Sequence, residues 1–221
     1  RARALAGSLG VSSALAKSLL SLLIRSSLAN QEQARVRAEG QGSGKPALVI
    51  GGSGKMGRWF TEFLQSQGFS VTVADPAGPV PGFPHAADWR DTADEFAVTV
   101  VSAPIPLTGG ILHDLGARQR RGLIFDIGSL KTPFIPELKA LCNRGLRVTS
   151  VHPMFGPDTE LLSGRHVLFL DVGCPDATTE AAQLFASTMA AQIRMDIEEH
   201  DRLIAYVLGL SAGFLLVGPF L

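Results

Sequence analysis

His152 is the residue of this sequence best placed to move a proton. It ends an apolar run and is followed by proline and a glycine-containing loop in the segment SVHPMFGPD, residues 150–158. A neutral imidazole, with an ordinary pKa of about 6.5, accepts a proton readily near neutral pH. We therefore predict a chemical role for His152. His200, in EEHDR beside Asp201, is an intermediate candidate, and the other histidines are interpreted as structural or solvated: His85, His113 and His166.

The glycine-rich segment GGSGKMG, residues 51–57, is a candidate phosphate-binding turn. Gly52, Gly54 and Gly57 form G-x-G-x-x-G between the apolar run ALVI and a predicted helix that begins near Met56. In dinucleotide-binding sheets the first glycine permits a tight turn, the second admits a pyrophosphate, and the third lets the helix pack closely. The free N–H groups of the helix then face the phosphates. The residues between these glycines complete the predicted loop: Ser53, Lys55 and Met56.

Asp75 is the predicted partner of the ribose in such a site. It ends the run SVTVAD, eighteen residues after Gly57, where a carboxylate would accept both ribose hydroxyls of an adenosine. The same charge repels a 2′-phosphate, so NAD is favoured over NADP. Lys55 and Arg58 lie nearby in sequence, and their positive charges would instead favour the 2′-phosphate of NADP.

Six short apolar runs separate longer stretches with helical character, such as Met56 to Gln67 and Pro133 to Asn143. Most of the runs are rich in β-branched residues and apolar on both faces, as buried strands of a parallel sheet are. This pattern predicts an α/β fold with a Rossmann-type, doubly wound, mainly parallel sheet. Ligands of such sheets lie beyond the carboxyl ends of the strands, which here carry SAP (102–104), DIGSLK (126–131) and SVHPMFGPD. The runs span 47–50, 70–75, 97–104, 122–128, 147–153 and 166–172.

Overall composition favours a small neutral or anionic ligand. The 221 residues carry no net charge and have a pI near 7.1, which does not indicate nucleic acid or an anionic membrane as a partner. Cys142 and Cys174 have no metal-ligand spacing and no disulfide framework, so we expect reduced thiols, no metal site and a cytoplasmic compartment.

The first 38 residues differ in composition from the rest. They contain six Lys or Arg, one acidic residue and many serines, which is typical of an organellar transit peptide. Several leucines nevertheless recur near helical spacing and form a stripe suited to packing on a partner: Leu15, Leu19, Leu22, Leu23 and Leu28. We divide the chain into a helical segment (1–37), a Gly/Ser-rich linker (38–46), a cofactor domain (47–195) and a final helical part (196–221).

Four segments, in this order and spacing, resemble the prephenate dehydrogenase family of tyrosine biosynthesis: VIGGSGKMGRWF, DIGSLK, SVHPMFGPD and EEHDRLIAYVLGL. The resemblance covers about residues 46–221, and HPMFGPD is its most specific block. The N-terminal segment is similar to the last helical part of a chorismate mutase, an enzyme that is fused to prephenate dehydrogenase in some bacteria and archaea. The resemblance therefore favours a mutase remnant over a transit peptide.

The resemblance implies oxidative decarboxylation of prephenate to 4-hydroxyphenylpyruvate with NAD as hydride acceptor. By position His152 matches the family's catalytic histidine, and Ser129 matches the serine that orients the substrate hydroxyl. Ser102 and Pro104 fall where a loop would lie along the nicotinamide ribose. Lys131 is interpreted either as a positive charge near the site or as a solvated lysine.

The sequence also departs from the family pattern. Ala212 replaces a histidine in the family's Y-x-x-x-L-x-H, and the arginine that clamps a substrate carboxylate would lie beyond residue 221. We therefore expect the 221-residue chain to bind NAD but to turn over prephenate poorly, with His152 and Ser129 facing solvent. Ser27 and Gln31 match a mutase pair, yet no mutase activity is expected. The uncharged run 203–221 has the length of a membrane span, although a buried helix of a homodimer is favoured.

Three alternatives remain open at this stage. The substrate could be arogenate, the amino analogue of prephenate. The chain could be another two-domain dehydrogenase of the hydroxyacid or imine-reductase type, although HPMFGPD argues against that. It could also be an NAD-binding module without catalysis, a reading that Ala212 keeps open.

Overall fold

The computed structural model describes Gly10, residues 12–93 and residues 95–217, with residues 208–217 described by their backbone alone. Ala212 and the end of the apolar run 203–221 therefore lie outside the described side chains. The described strands are β1 (Pro46–Ile50), β2 (Ser70–Ala74), β3 (His85–Ala86), β4 (Glu95–Val101), β5 (Arg121–Asp126), β6 (Arg147–Pro153), β7 (His166–Asp171) and β8 (Ala191–Asp196). The described helices are α1 (Ser13–Ala38), α2 (Lys55–Ser66), α3 (Ile105–Ala117), α4 (Ile135–Asn143), α5 (Pro175–Gln183) and α6 (Ile197–Val217).

The eight described strands form one sheet in the order β3-β2-β1-β4-β5-β6-β7-β8. All neighbouring pairs are parallel except β6 and β7, which run antiparallel. The order reverses at β1, where the chain crosses from β3, at the edge beyond β2, to β4 on the other side of β1, and in sheets of this type the crevice at the reversal point holds the ligand. The predicted Rossmann-type, mainly parallel sheet is thus confirmed.

Helices cover both faces of the sheet because its central strands are apolar on both sides. Val49 and Phe125 face a core that includes Phe60 of α2 and Ala181 of α5. The alternate residues of the same strands face a second core, which contains Leu112 of α3 and Leu138 of α4. Burial on both faces explains why these strands read as continuous apolar runs rather than as alternating ones.

Two strands at the edges of the sheet were not predicted. β3 has only two residues, which is too short to produce a pattern. β8 has the sequence AQIRMD and is exposed along most of its length, so it lacks the buried apolar run by which the other strands were recognised. The run 97–104 is also shorter as a strand than predicted, because β4 ends at Val101 and leaves Ser102–Pro104 as a loop.

The C-terminal half of α1 is attached to the sheet domain through polar contacts. Glu32, the single acidic residue of the first 38, is buried and accepts hydrogen bonds from the backbone N–H groups of Leu162, at 2.8 Å, and Met189. Arg35 donates to the carbonyl of Ser187 at 2.6 Å, and Val36 joins the core. The predicted leucine stripe lies mainly on the exposed part of the helix: Leu15, Leu19, Leu22 and Leu23.

The glycines of the predicted linker pack against the turn between α2 and β2. A Cβ atom on Gly40 would lie 2.4 Å from the carbonyl oxygen of Gln67, and one on Gly42 would lie 2.2 Å from the amide nitrogen of Phe69. The amide of Gly42 donates to the Gln67 carbonyl at 2.8 Å. These glycines therefore allow the backbone of the linker to pack directly against the backbone of the turn.

Cys142 and Cys174 form a disulfide, so the expectation of reduced thiols was wrong. Cys142 lies near the end of α4 and Cys174 immediately precedes α5, and their Cα atoms are 6.0 Å apart. Two cysteines 32 residues apart carry no pairing signal in a single sequence; only the packing of α4 beside the start of α5 brings them together. The expected reducing compartment rested on free thiols and loses that support.

We expect the double substitution Cys142→Ser/Cys174→Ser to lower the free energy of unfolding by about 2–4 kcal/mol, because the disulfide restricts the unfolded chain. Urea denaturation with and without a reductant measures this difference. The reductant should lower the midpoint of the wild-type protein and leave the double variant unchanged. An unchanged wild-type midpoint would show that the bridge does not stabilise the fold.

Within the described residues, no helix combines the length and the apolar character needed to cross a membrane.

Candidate functional site

A cleft of about 1430 Å³ lies beyond the carboxyl ends of β1, β2, β4 and β5. The glycine turn and the end of β2 form one part of its wall, and the loops after β4 and β5 form another. Most of the predicted cofactor residues line it, together with one of the two predicted catalytic residues: Ser53, Gly54, Lys55, Met56, Asp75, Ser102, Pro104 and Ser129. The sheet therefore brings these residues to one crevice, as its topology requires.

Gly51 is the residue that makes the tight turn after β1. Its φ angle is +81°, in the region that glycine adopts most easily, and a Cβ atom there would lie 2.4 Å from the carbonyl oxygen of Ser102. The sequence prediction assigned the turn to Gly52. At Gly52, φ is not in that region, and a Cβ atom would instead meet the side chain of Val73 at 2.8 Å.

Gly57 allows the start of α2 to pack against the turn, as predicted for the third glycine. A Cβ atom at Gly57 would lie 2.1 Å from the carbonyl oxygen of Gly51. Gly54 caps α2 without a side-chain hydrogen bond, and the first turn of the helix contains no acidic residue. The first amides of a helix have no partner within it, so the N-terminus of α2 presents donors and positive potential to an anion. This geometry fits a pyrophosphate.

Asp75 lies directly after β2 and faces the glycine turn. Its Oδ2 accepts a hydrogen bond from the backbone N–H of Ser53 at 3.0 Å, and its Oδ1 accepts one from the N–H of Ala77 at 2.8 Å. The residue is 8% exposed and borders the cleft. Each carboxylate oxygen can accept a second hydrogen bond, so the side chain can also receive hydroxyl groups of a ribose.

Ser102 and Pro104 hold the loop after β4 against the glycine turn. The amide of Ser102 donates to the carbonyl of Ile50 at 2.8 Å, and Pro104 is the residue before α3. This contact places the start of α3 on the opposite side of the cleft from Asp75.

His152 is buried rather than solvent-facing, which corrects the expectation from sequence. The residue is 8% exposed, and its Nδ1 lies 2.8 Å from Nε2 of His200, which is fully buried. The two rings meet edge to face, with centroids 5.0 Å apart. Within the described part of the chain, Nε2 of His152 has no hydrogen-bond partner. We refer to His152 and His200 as the histidine pair.

Asp201 ties the histidine pair to the loop after β5. Its Oδ1 lies 2.6 Å from Nδ1 of His200. The same carboxylate accepts hydrogen bonds from the backbone N–H of Lys131, at 2.9 and 3.0 Å, and from the N–H and hydroxyl of Thr132, at 2.7 and 2.6 Å. The start of α6 is therefore joined to the segment that carries Ser129.

Lys131 is fully buried, so the solvated alternative was wrong. Its Nζ donates to Oδ2 of Asp126 at 2.6 Å and to the carbonyl of Val151 at 3.0 Å, and the carboxylate is also fully buried. Asp126 Oδ2 accepts another hydrogen bond from the N–H of Gly128. Ser129 is exposed and lines the cleft. One loop thus connects the cleft wall to the residue before His152.

The surroundings keep the histidine pair neutral at ordinary pH. Burial, followed by the charges of Lys131 and His200, lowers the pKa of His152 to about 3 against the opposing effect of Asp201. Burial also lowers the pKa of His200, against its hydrogen bond with Asp201. Although burial raises the pKa of Asp201, its hydrogen bonds with Thr132, Lys131 and His200 lower it to about 2. Burial lowers the pKa of Lys131, and Asp126 offsets part of that effect.

Sequence reasoning did not identify three residues of this arrangement: Gly51, Asp126 and Asp201. Asp126 ends a predicted strand, and Asp201 adjoins a candidate histidine, so both had a positional signal. Their roles depend on contacts across 5 and 70 residues of sequence, which no local pattern reveals.

Comparison with known proteins identifies one matching family, described as the nucleotide-binding domain of prephenate dehydrogenase, over residues 82–189. The T-protein of Enterobacter agglomerans is 27% identical over 169 residues, which cover 75% of this chain and 42% of the T-protein. The chain thus spans less than half the length of this relative.

Solved structures that share the fold include two enzymes of different classes. Prephenate dehydrogenase from Aquifex aeolicus, in complex with hydroxyphenyl propionate and NAD⁺, has a TM-score of 0.60 and 16% identity, and the match covers 79% of this chain and 71% of that chain. An imine reductase variant from Myxococcus stipitatus, in complex with NAD⁺, has a TM-score of 0.64 and 17% identity, with 78% and 62% covered. Fold alone does not separate these two classes of enzyme. The family match does, since residues 82–189 are similar to the nucleotide-binding domain of prephenate dehydrogenase.

Proposed function

We propose that this protein is an NAD-dependent prephenate dehydrogenase, which oxidatively decarboxylates prephenate to 4-hydroxyphenylpyruvate. The observation that carries the proposal is the loop of residues 126–132. Ser129 of this loop lines the cleft. The loop also donates hydrogen bonds to Asp201, which is hydrogen-bonded to His200 of the histidine pair. The candidate proton acceptor and the cleft are thereby joined through one loop.

The residues of the cleft fit a dinucleotide. The turn at Gly51 and the N-terminus of α2 would hold the pyrophosphate, Asp75 the adenosine ribose, and Ser102 and Pro104 the nicotinamide ribose. Bound NAD supplies the acceptor for the hydride that leaves the ring carbon bearing the substrate hydroxyl. The NAD⁺ seen in the solved relatives supports this assignment.

His152 would accept a hydrogen bond, and then the proton, from the substrate hydroxyl through its Nε2. Ser129, at the cleft wall, would orient the same hydroxyl. Burial lowers the pKa of His152 to about 3, so the imidazole is neutral and its lone pair is available over a wide range of pH.

Arogenate is the alternative substrate, since it has the same reacting ring and differs by an amino group. Steady-state kinetics of the complete protein with each compound distinguishes the two. The proposal expects a higher kcat/KM with prephenate, and a preference for arogenate would overturn the choice of substrate.

The proposal extends to the organisation of the chain. Residues 1–37 would be the end of a mutase-like segment, followed by the linker 38–46, the cofactor domain 47–195 and, from 196, the start of a helical domain that pairs two subunits. The exposed apolar side chains of α6, Leu203 and Val207, are consistent with such pairing. Sedimentation of the complete protein tests this organisation, with a dimer expected.

We expect Asp75→Ala to weaken NAD binding more than any other single substitution in β2 or directly after it, because it removes a charged acceptor from the ribose. Titration calorimetry with NAD and with NADP measures the effect, and affinity for NADP should change less. Thr72→Ala, on the same strand, is the matched control. Unchanged NAD affinity in the Asp75 variant would contradict the assignment.

A further inference from the structure

The carboxylate of Asp201 sets the direction of the hydrogen bonds that lead to His152. It accepts hydrogen bonds from the N–H groups of Lys131 and Thr132 and from the Thr132 hydroxyl. An ionised carboxylate has no hydrogen to donate. Nδ1 of His200, 2.6 Å from Oδ1, must therefore carry the proton of that hydrogen bond.

The donor and acceptor nitrogens of His152 follow from those of His200. A neutral imidazole has one donor nitrogen and one acceptor nitrogen. Because Nδ1 of His200 donates to Asp201, its Nε2 is the acceptor, and Nδ1 of His152 must donate to it across 2.8 Å. Nε2 of His152 then holds a lone pair, so Asp201 determines which nitrogen of His152 can act as a base.

We infer that His200 stores the proton that His152 takes from the substrate hydroxyl, and that Asp201 positions both rings for this transfer. The inference rests on the proposed function. His152 would be the catalytic residue, because it touches the substrate, whereas His200 and Asp201 would act through it.

The transfer balances without a further reactant. As hydride leaves the ring carbon for NAD, the hydroxyl O–H bond breaks and an N–H bond forms at Nε2 of His152. The N–H bond at Nδ1 of His152 then breaks, and one forms at Nε2 of His200. Loss of carbon dioxide leaves its electron pair in the ring, which becomes aromatic with negative charge on oxygen. That oxygen takes the proton back through His152, so the protein ends in its starting state.

The charges around the histidine pair favour His200 as the residue that carries the additional proton. The positive charge of Lys131 lowers the pKa of both rings and so disfavours a charge on either. The negative charge of Asp126 opposes this effect at His200. Asp201 touches His200 at 2.6 Å and reaches His152 only at longer range. An imidazolium at His200 is thus in direct contact with a carboxylate, whereas one at His152 is not.

Nitrogen NMR of protein labelled with ¹⁵N-histidine tests the order of hydrogen bonds directly, with His152→Asn and His200→Asn variants used for assignment. Near neutral pH both rings should be neutral and carry their proton on Nδ1. A proton on Nε2 of His152, or a charged His200, would overturn the inference, because His152 would then lack the free lone pair.

Kinetics of the complete protein tests the storage of the proton. His200→Asn and Asp201→Asn should each lower kcat by about 10- to 100-fold, with KM and NAD affinity within about twofold of the wild type. Glu199→Gln, an exposed carboxylate on the same turn of α6, is the matched control and should leave kcat unchanged. Unchanged kcat in both test variants would overturn the inference.

These measurements separate this inference from the proposed function. If the wild-type protein oxidises prephenate but the His200 and Asp201 variants do so equally well, only the proton store is wrong. If no form of the protein oxidises prephenate while the NMR spectra show the expected tautomers, the proposed function fails and the inferred storage fails with it.

Discussion

Replacing His152 with asparagine should lower the turnover of prephenate by about 10²- to 10⁴-fold, while the affinity for NAD stays nearly unchanged. Asparagine retains a hydrogen-bonding group but cannot take a proton, so the loss falls on the chemical step. His152 does not line the cofactor cleft, which is why NAD binding should survive. Steady-state kinetics of the complete protein and calorimetry with NAD measure the two effects.

His166→Asn is the matched control, since His166 is an exposed histidine at the start of β7. Its turnover should equal that of the wild type. If His152→Asn raised only KM and left kcat within a few-fold, His152 would be a binding residue and the base would have to lie elsewhere.

The same residue predicts an unusual pH profile. His152 acts as a base only when neutral, so activity is lost as pH falls through its pKa, which burial lowers to about 3. Lys131 and His200 face the ring and act in the same direction, and Asp201 opposes them. The acid limb of kcat/KM that belongs to His152 should therefore lie far below the ordinary histidine pKa of about 6.5.

Lys131→Met should lower the free energy of unfolding by about 3–5 kcal/mol. The substitution removes one partner of an ion pair in which both side chains are fully buried, and it leaves the Asp126 carboxylate without its cation. Oδ1 of Asp126 already lacks a hydrogen-bond partner within the described residues, so little compensation is available. Urea denaturation of the variant measures the loss.

Two further variants show whether the loss comes from the unpaired charge. Asp126→Asn/Lys131→Met removes both charges and should recover much of the stability. Lys139→Met removes an exposed lysine that pairs with Glu198, and it should change stability by no more than about 0.5 kcal/mol. A Lys131 variant as stable as the Lys139 variant would show that the buried pair contributes nothing.

The sheet was predictable because its central strands obey local rules. Strand β6 was predicted with the bounds that it has, 147–153, because it is one of the short runs with β-branched residues that are typical of strands. The position of the cofactor cleft followed from the same rules, because parallel strands bring Asp75, Ser102 and Ser129 to one edge.

The interior of the site was not predictable, because it depends on contacts between distant segments. The sequence placed His152 at a strand end, yet its burial comes from His200, 48 residues later in the chain. Lys131 looks like an ordinary surface lysine until Asp126 and the carbonyl of Val151 surround it. Gly51 and Gly52 are neighbours of the same type, so only the backbone angles show which one makes the turn.

The most direct test of the account mixes the complete protein with NAD and prephenate and follows the absorbance of reduced nicotinamide together with the formation of 4-hydroxyphenylpyruvate. Both products should appear in equal amounts, and neither should appear with His152→Asn at a comparable rate. Saturable NAD binding with no reduction by prephenate or arogenate would contradict it, because the cleft would then hold a dinucleotide without serving a dehydrogenase.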